Sequence, residues 1–160
     1  KNKKEKGKTA PAIPKAVKSF LSDTSSFSPE WSGSILRMLP ESVRGAYPLL
    51  REHLRILSAG ICIGEAKGKD FIPAEELALS TALRPDAFPV ADLDWDDAIR
   101  YLKKEALLLP AGTEKGYVLV RHKKFPLGFA KHLGNRANNL YPQEWRIRTG
   151  YIPEQVKTFE

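Results

Sequence analysis

The sequence predicts an α+β fold of two small modules, each with a bent, mostly antiparallel sheet and flanking helices. Three observations predict it. Two β-branched, glycine-punctuated stretches, around residues 54–71 and 116–131, each contain a polar turn. Between them, residues 92–105 (DLDWDDAIRYLKKE) repeat apolar side chains at helical spacing. A length of 160 residues then suits one domain, or two small ones sharing a core. We place the first module at 16–90 and the second at 91–160, after a basic linker at 1–15.

The elements follow in order. Residues 14–23 suggest a short helix, with Val17, Phe20 and Leu21 on one face and Pro14 in its first turn. Residues 25–34, with Pro29 and Gly33, read as a loop anchored by Phe27 and Trp31. Residues 35–39 form a short strand ended by Pro40. The run LRILSAGICIGE (54–65) reads as a central strand, bent at Gly60 and Gly64, that pairs through the turn AKGKD (66–70) with the segment around Phe71. Residues 73–83 suggest a short helix.

The helix over 92–105 places Trp95, Ala98, Ile99 and Leu102 on one side. Its aspartates crowd the first turn and Lys103 and Lys104 occupy the last, as the helix dipole favours. Residues 107–109 make a short strand stopped by Pro110. GYVLVR (116–121) and PLGFAK (126–131) flank the turn 122–124 as a second hairpin. From Leu133 onward, periodicity gives way to Gly, Asn and Pro, and an ordered loop is expected. The expected core comprises Leu54, Ile56, Ile61, Ile63, Trp95, Ile99, Leu102, Leu119 and Phe129.

Charge narrows the function. The formal net charge of +7 divides unevenly: residues 1–18 carry +6, residues 19–110 carry −4, and residues 111–160 carry +5. A polyanion is therefore expected at the ends of the chain rather than the middle. The first end, KNKKEKGKTAPAIPK, has too little apolar content to fold and reads as a tether or a basic arm. The chain begins at Lys1, so either its start was processed or it is part of a longer protein. No apolar run reaches the ~20 residues of a membrane span, and no membrane partner is expected. The lone Cys62 forms no internal disulfide or cysteine-cluster zinc site, and a cytoplasmic location is expected.

Catalytic motifs are missing. No G-x-G-x-x-G, G-x-x-x-x-G-K-[ST] or G-x-S-x-G is present, and His53, His122 and His132 lack metal-ligand spacing. Cys62, in ICIG, reads as a small buried hydrophobe rather than a nucleophile. No catalytic residue, metal ligand or cofactor-binding residue is assigned.

Residues 117–151 instead hold seven basic residues against Glu144 alone. Cationic side chains hold phosphates, amides read base edges or the 2′-OH, and aromatic rings stack on unpaired bases. The candidate RNA-binding residues are Lys131, Asn135, Arg136, Asn138, Asn139, Tyr141, Arg146 and Arg148. The mixture suits unpaired RNA, and no recognition helix for duplex DNA is visible, so no DNA partner is expected. Core packing of Tyr141 or Trp145, and turn roles for the asparagines, remain the alternative.

The stretch FPLGFAKHLGNRANNLYPQEWRIR (125–148) resembles the C-terminal end of the RsmF-type RNA methyltransferases of the Nol/Nop/Sun family, which make 5-methylcytosine in ribosomal RNA. The resemblance rests on Pro126, Leu127, Gly128, Ala130, Lys131, Leu133, Gly134, Asn135, Arg136, Asn139, Tyr141 and Pro142. It extends more loosely over residues 25–150. It implies a PUA-like RNA-binding domain preceded by a second α+β module, with ribosomal RNA and a catalytic methyltransferase domain of the parent chain as partners. S-adenosylmethionine is expected in that catalytic domain and no cofactor in this chain. The family's two catalytic cysteines have no counterpart, since Cys62 lies between isoleucines, and this chain alone is expected not to be catalytic. The rival reading is a protein-interaction or packing module that orients the catalytic domain without touching RNA.

Overall fold

The computed structural model describes residues 13–151. Most of the linker expected at 1–15 lies outside the described residues. A single helical turn, α1 (Lys15–Lys18), sets Val17 into the core. Strands β1 (Phe27–Ser32) and β2 (Ile35–Pro40) then form a hairpin, where residues 25–34 were expected to be a loop. Pro29 misled that expectation. It sits in β1, an edge strand, where a missing N–H costs no ladder bond.

A 3-10 turn (Glu41–Val43) and helix α2 (Tyr47–His53) follow, and α2 has no buried residue. The central strand β3 (Ile61–Lys67) starts later than its apolar run suggested. Leu54, expected in the core, is 59% exposed, because the chain before Gly60 lies outside the sheet. At Gly60 (φ +65°) a Cβ would collide with the Met38 carbonyl, so only glycine admits the close approach that starts β3. β3 pairs antiparallel with β2 and with β4 (Asp70–Pro73), giving the sheet order β1-β2-β3-β4.

Helix α3 (Glu75–Ala78) is shorter than the expected 73–83. It is clamped to the sheet by Glu76, which pairs with Arg37 at 3.2 Å and accepts the Cys62 backbone N–H at 2.8 Å. Burial pushes the Cys62 thiol pKa up, which keeps it a neutral, inert thiol.

The second sheet has the order β5-β6-β7-β8: β5 (Val90–Asp92), β6 (Gly116–His122), β7 (Phe125–His132) and β8 (Ala137–Asn139). The β6–β7 hairpin is as expected. Strand β5 runs parallel to β6, while β8 is a short antiparallel strand in the region expected to be loop. Between β5 and β6 lies helix α4 (Trp95–Leu102), whose Asp94 N-cap accepts the Asp97 N–H at 2.9 Å. Ala98, Ile99 and Tyr101 are its buried face.

The architecture is thus α+β, with two four-stranded sheets and few helices. One core runs between the sheets: Leu36, Met38 and Ile63 of the first join Leu119 and Phe129 of the second, with Leu77 and Phe88 among them. Phe88 links Phe20 and Phe129, at ring centroid separations of 4.5 and 4.8 Å. A second cluster packs Tyr101 and Leu107 against Val120 and Ala130, under α4.

Candidate nucleic-acid interface

The last turn of α4 organises the site. Lys104 takes the left-handed conformation (φ +63°) that ends the helix, a position glycine usually fills. Its ammonium turns onto the carbonyls of Asn139, at 3.1 Å, and Tyr141. Asn139 answers in the other direction: its amide N–H donates to the carbonyls of Tyr101 (2.8 Å) and Glu105 (3.2 Å). Its oxygen accepts the Tyr141 backbone N–H at 2.9 Å. Helix end and β8 are therefore stitched together by two side chains. Beyond them, the Ile147 N–H donates to the Leu102 carbonyl at 3.0 Å, which brings the segment 142–148 alongside the same helix end.

Around this junction the surface is cut into adjoining depressions. An open cleft of about 800 Å³ is lined by Arg100, Lys104, Glu105, Arg136, Asn138 and Asn139, among others. A groove of about 360 Å³, sharing Glu105, is lined by Lys103, Arg146, Arg148 and Thr149. A third of about 250 Å³ joins Arg100 to Lys103. Besides Lys104, whose ammonium is committed to carbonyls, five cationic side chains, Arg100, Lys103, Arg136, Arg146 and Arg148, line these depressions against Asp96, Asp97 and Glu105. Of the five, only Arg100 has an ion pair among the described residues, a long one of 3.8 Å to Asp97. The lining thus carries more cations than acids, a balance that favours a polyanion.

Of the sequence-predicted residues, Arg136, Asn138 and Asn139 meet in the cleft, and Arg146 and Arg148 in the groove beside it. Tyr141 is half-buried behind them, edge-on to Tyr101 at 5.4 Å, while Trp145 outside it is 48% exposed. Lys131 and Asn135 line none of these depressions. Lys131 pairs with Asp70 of the first sheet and lies 4.8 Å over the Tyr117 ring. That ammonium holds the Asp70 carboxyl below the usual carboxylate range. Asn135 is exposed. Sequence reasoning missed Arg100 and Lys103. Their spacing of three already put them on one face of α4, but the last-turn lysines also satisfied the helix dipole.

Comparison with known proteins gives this site its context. The family described as the methyltransferase RsmF PUA domain matches residues 88–147, which contain β5 to β8, α4 and most of the cationic cleft. Residues 88–147 are an RsmF-type PUA domain. The chain is also 32% identical, over 110 residues, to the ribosomal RNA small subunit methyltransferase F of Shewanella baltica (strain OS195); the match covers 66% of this chain and 22% of that protein. The protein of the same name from Shewanella pealeana (strain ATCC 700345 / ANG-SQ1) is 32% identical over 92 residues, covering 57% and 18% respectively. The chain thus spans about a fifth of the length of these relatives. A match of 110 residues is longer than everything from residue 88 onward, so the likeness reaches back from the PUA domain into the first module. Both findings support an RsmF-type C-terminal region.

Proposed function

We propose that this chain binds ribosomal RNA across the cleft and groove at the end of α4 and docks it for a catalytic methyltransferase domain carried elsewhere in the parent protein. The observation that carries the reading is the cluster of Arg136, Arg146, Arg148 and Lys103, without ion pairs among the described residues, on a PUA domain of RsmF type. The arginines hold phosphates, Asn138 offers an amide to base edges or the 2′-OH, and the half-exposed Trp145 offers a ring. The parent's reaction is methyl transfer to a cytosine of ribosomal RNA. S-adenosylmethionine would be held by that catalytic domain, and no residue of this chain is assigned to it. The work is placed in a bacterial cytoplasm. No helix among the described residues is long and apolar enough to cross a membrane.

Fluorescence anisotropy with labelled fragments tiling small-subunit ribosomal RNA tests the proposal. With about four phosphates contacted, log K should fall against log salt with a slope of roughly −3, about fifty-fold between 50 and 200 mM salt. The double substitution Arg136→Glu with Arg146→Glu should remove most of that affinity. Salt-independent binding, or none at low salt, overturns the proposal. If the double variant keeps its RNA affinity yet loses association with a separately expressed catalytic domain, the packing reading takes its place.

A further inference from the structure

The β6–β7 hairpin ends in a feature that the cleft does not use. His122 pairs with Phe125, which leaves Lys123 and Lys124 as a two-residue turn. Both have positive φ, +47° and +71°, the pattern of a type I′ turn. Asn-Gly is the sequence that such a turn prefers, and two successive side-chain-bearing residues there are unfavourable for the backbone. Nothing in the fold compensates: both lysines are exposed and, among the described residues, neither has an ion pair. Asp92, opposite Arg121 on β5, is already held by that arginine at 3.0 and 2.7 Å and leaves the lysine charges unneutralised.

Phe125 follows at once, 74% exposed. A single exposed apolar side chain is ordinary. A flat ring held out beside two free ammonium groups, on a turn that a different sequence would make more cheaply, is the combination that stacks a base and holds its flanking phosphates.

We infer that the hairpin tip Lys123–Lys124–Phe125 is a second RNA contact, Phe125 stacking on an unpaired base and the two lysines gripping phosphates on either side. It rests on the RNA reading above and extends it. β7 carries Phe125 at one end and His132 at the other, about 23 Å apart at ~3.3 Å per residue, with Arg136 just beyond. The tip and the cleft therefore lie toward opposite ends of β7, a separation that several nucleotides of single strand can span.

The test uses a short single-stranded RNA with one 2-aminopurine, its matched duplex, and two variants of the chain. Lys123→Asn with Lys124→Gly installs the preferred turn sequence, so the thermal midpoint should hold or rise. Its salt slope should become shallower by about 1.4, the share of two phosphates. Phe125→Ser should weaken single-strand binding roughly five-fold or more and abolish the 2-aminopurine quenching, and Phe125→Trp should restore both. The duplex should respond to the lysines and not to the ring. If both tip variants bind with wild-type affinity and slope while Arg136→Glu with Arg146→Glu does not, the tip is no contact and the cleft reading stands. If the wild-type chain binds neither RNA, both readings fall together.

Discussion

Gly128 marks the point where the sheets meet through a polar group. Its φ of +148° suits glycine, and a Cβ there would collide with both carboxyl oxygens of Glu75 and with the Tyr101 hydroxyl. Glu75 belongs to α3, below the first sheet, while Tyr101 belongs to α4 and donates to the Phe129 carbonyl at 3.0 Å. The Glu75 carboxyl oxygens are buried without a hydrogen bond of ordinary geometry. Burial raises its pKa to about 8, against the smaller pull of the Phe129 main chain and the Lys104 ammonium. Tyr101 and Tyr141 face the same group, and their own pKa values are raised mainly by burial. The sign follows from proton counting: between the ordinary 4.5 and about 8, the folded chain keeps a proton that the unfolded chain releases. Glu75 therefore makes stability fall as pH rises through that window, by an amount on the order of a few kcal/mol. Glu75→Gln should flatten this decline and unfold at higher urea than the parent at pH 8, with the two converging near pH 4. Parallel pH profiles for the two chains would refute the assignment.

At the scale of elements, legibility followed the strength of local pattern. The β6–β7 hairpin was readable because GYVLVR and PLGFAK are short apolar runs around the polar stretch 122–124, which the structure narrows to a two-residue turn. α4 was readable because acids, apolar stripe and lysines all agree. Helix α2 was not, since a helix without a buried face imposes no periodicity. Nor was β8, three residues long and read as Ala-Asn-Asn, whose place is fixed by pairing with β7. The motif itself divides the same way. Gly128 admits Glu75, Lys131 ties β7 to Asp70, and Asn139 closes α4, so much of what made the resemblance sharp is architecture. Arg136 is the motif position left with a free cationic side chain in the cleft. Accordingly, Asn139→Ala should leave the carbonyls of Tyr101 and Glu105 short of a donor and lower the unfolding free energy by about 1–3 kcal/mol in urea titration. The salt slope of RNA binding should stay that of the parent, because no phosphate contact is removed. A loss of RNA affinity with unchanged slope and unchanged stability would return Asn139 to the RNA-reading role.

For the whole molecule, the match to a PUA domain covers residues 88–147, and the packing across its boundary predicts that this stretch does not fold alone. Leu119 and Phe129, on the inner face of the second sheet, are packed with Leu36, Met38, Ile63 and Leu77 from the other side of the boundary. Polar contacts cross as well: Tyr117 donates to Asp70 at 2.9 Å, and Lys131 pairs with the same carboxylate. Cutting the chain before residue 88 would expose a face of the second sheet whose Phe129 and Leu119 are now 0% and 5% accessible. Losing a buried Phe alone costs about 3–5 kcal/mol, a large part of the ~5–15 kcal/mol by which domains are stable. The chain over 13–151 should therefore melt in one transition followed identically by near-UV and far-UV circular dichroism. A fragment over 88–151 should show no cooperative melt, bind a hydrophobic dye, and lose salt-dependent RNA binding although it retains Arg136, Arg146 and Arg148. A fragment that melts sharply and binds RNA as tightly as the longer chain would show that the first module is dispensable, and that the shared core merely joins two self-sufficient halves.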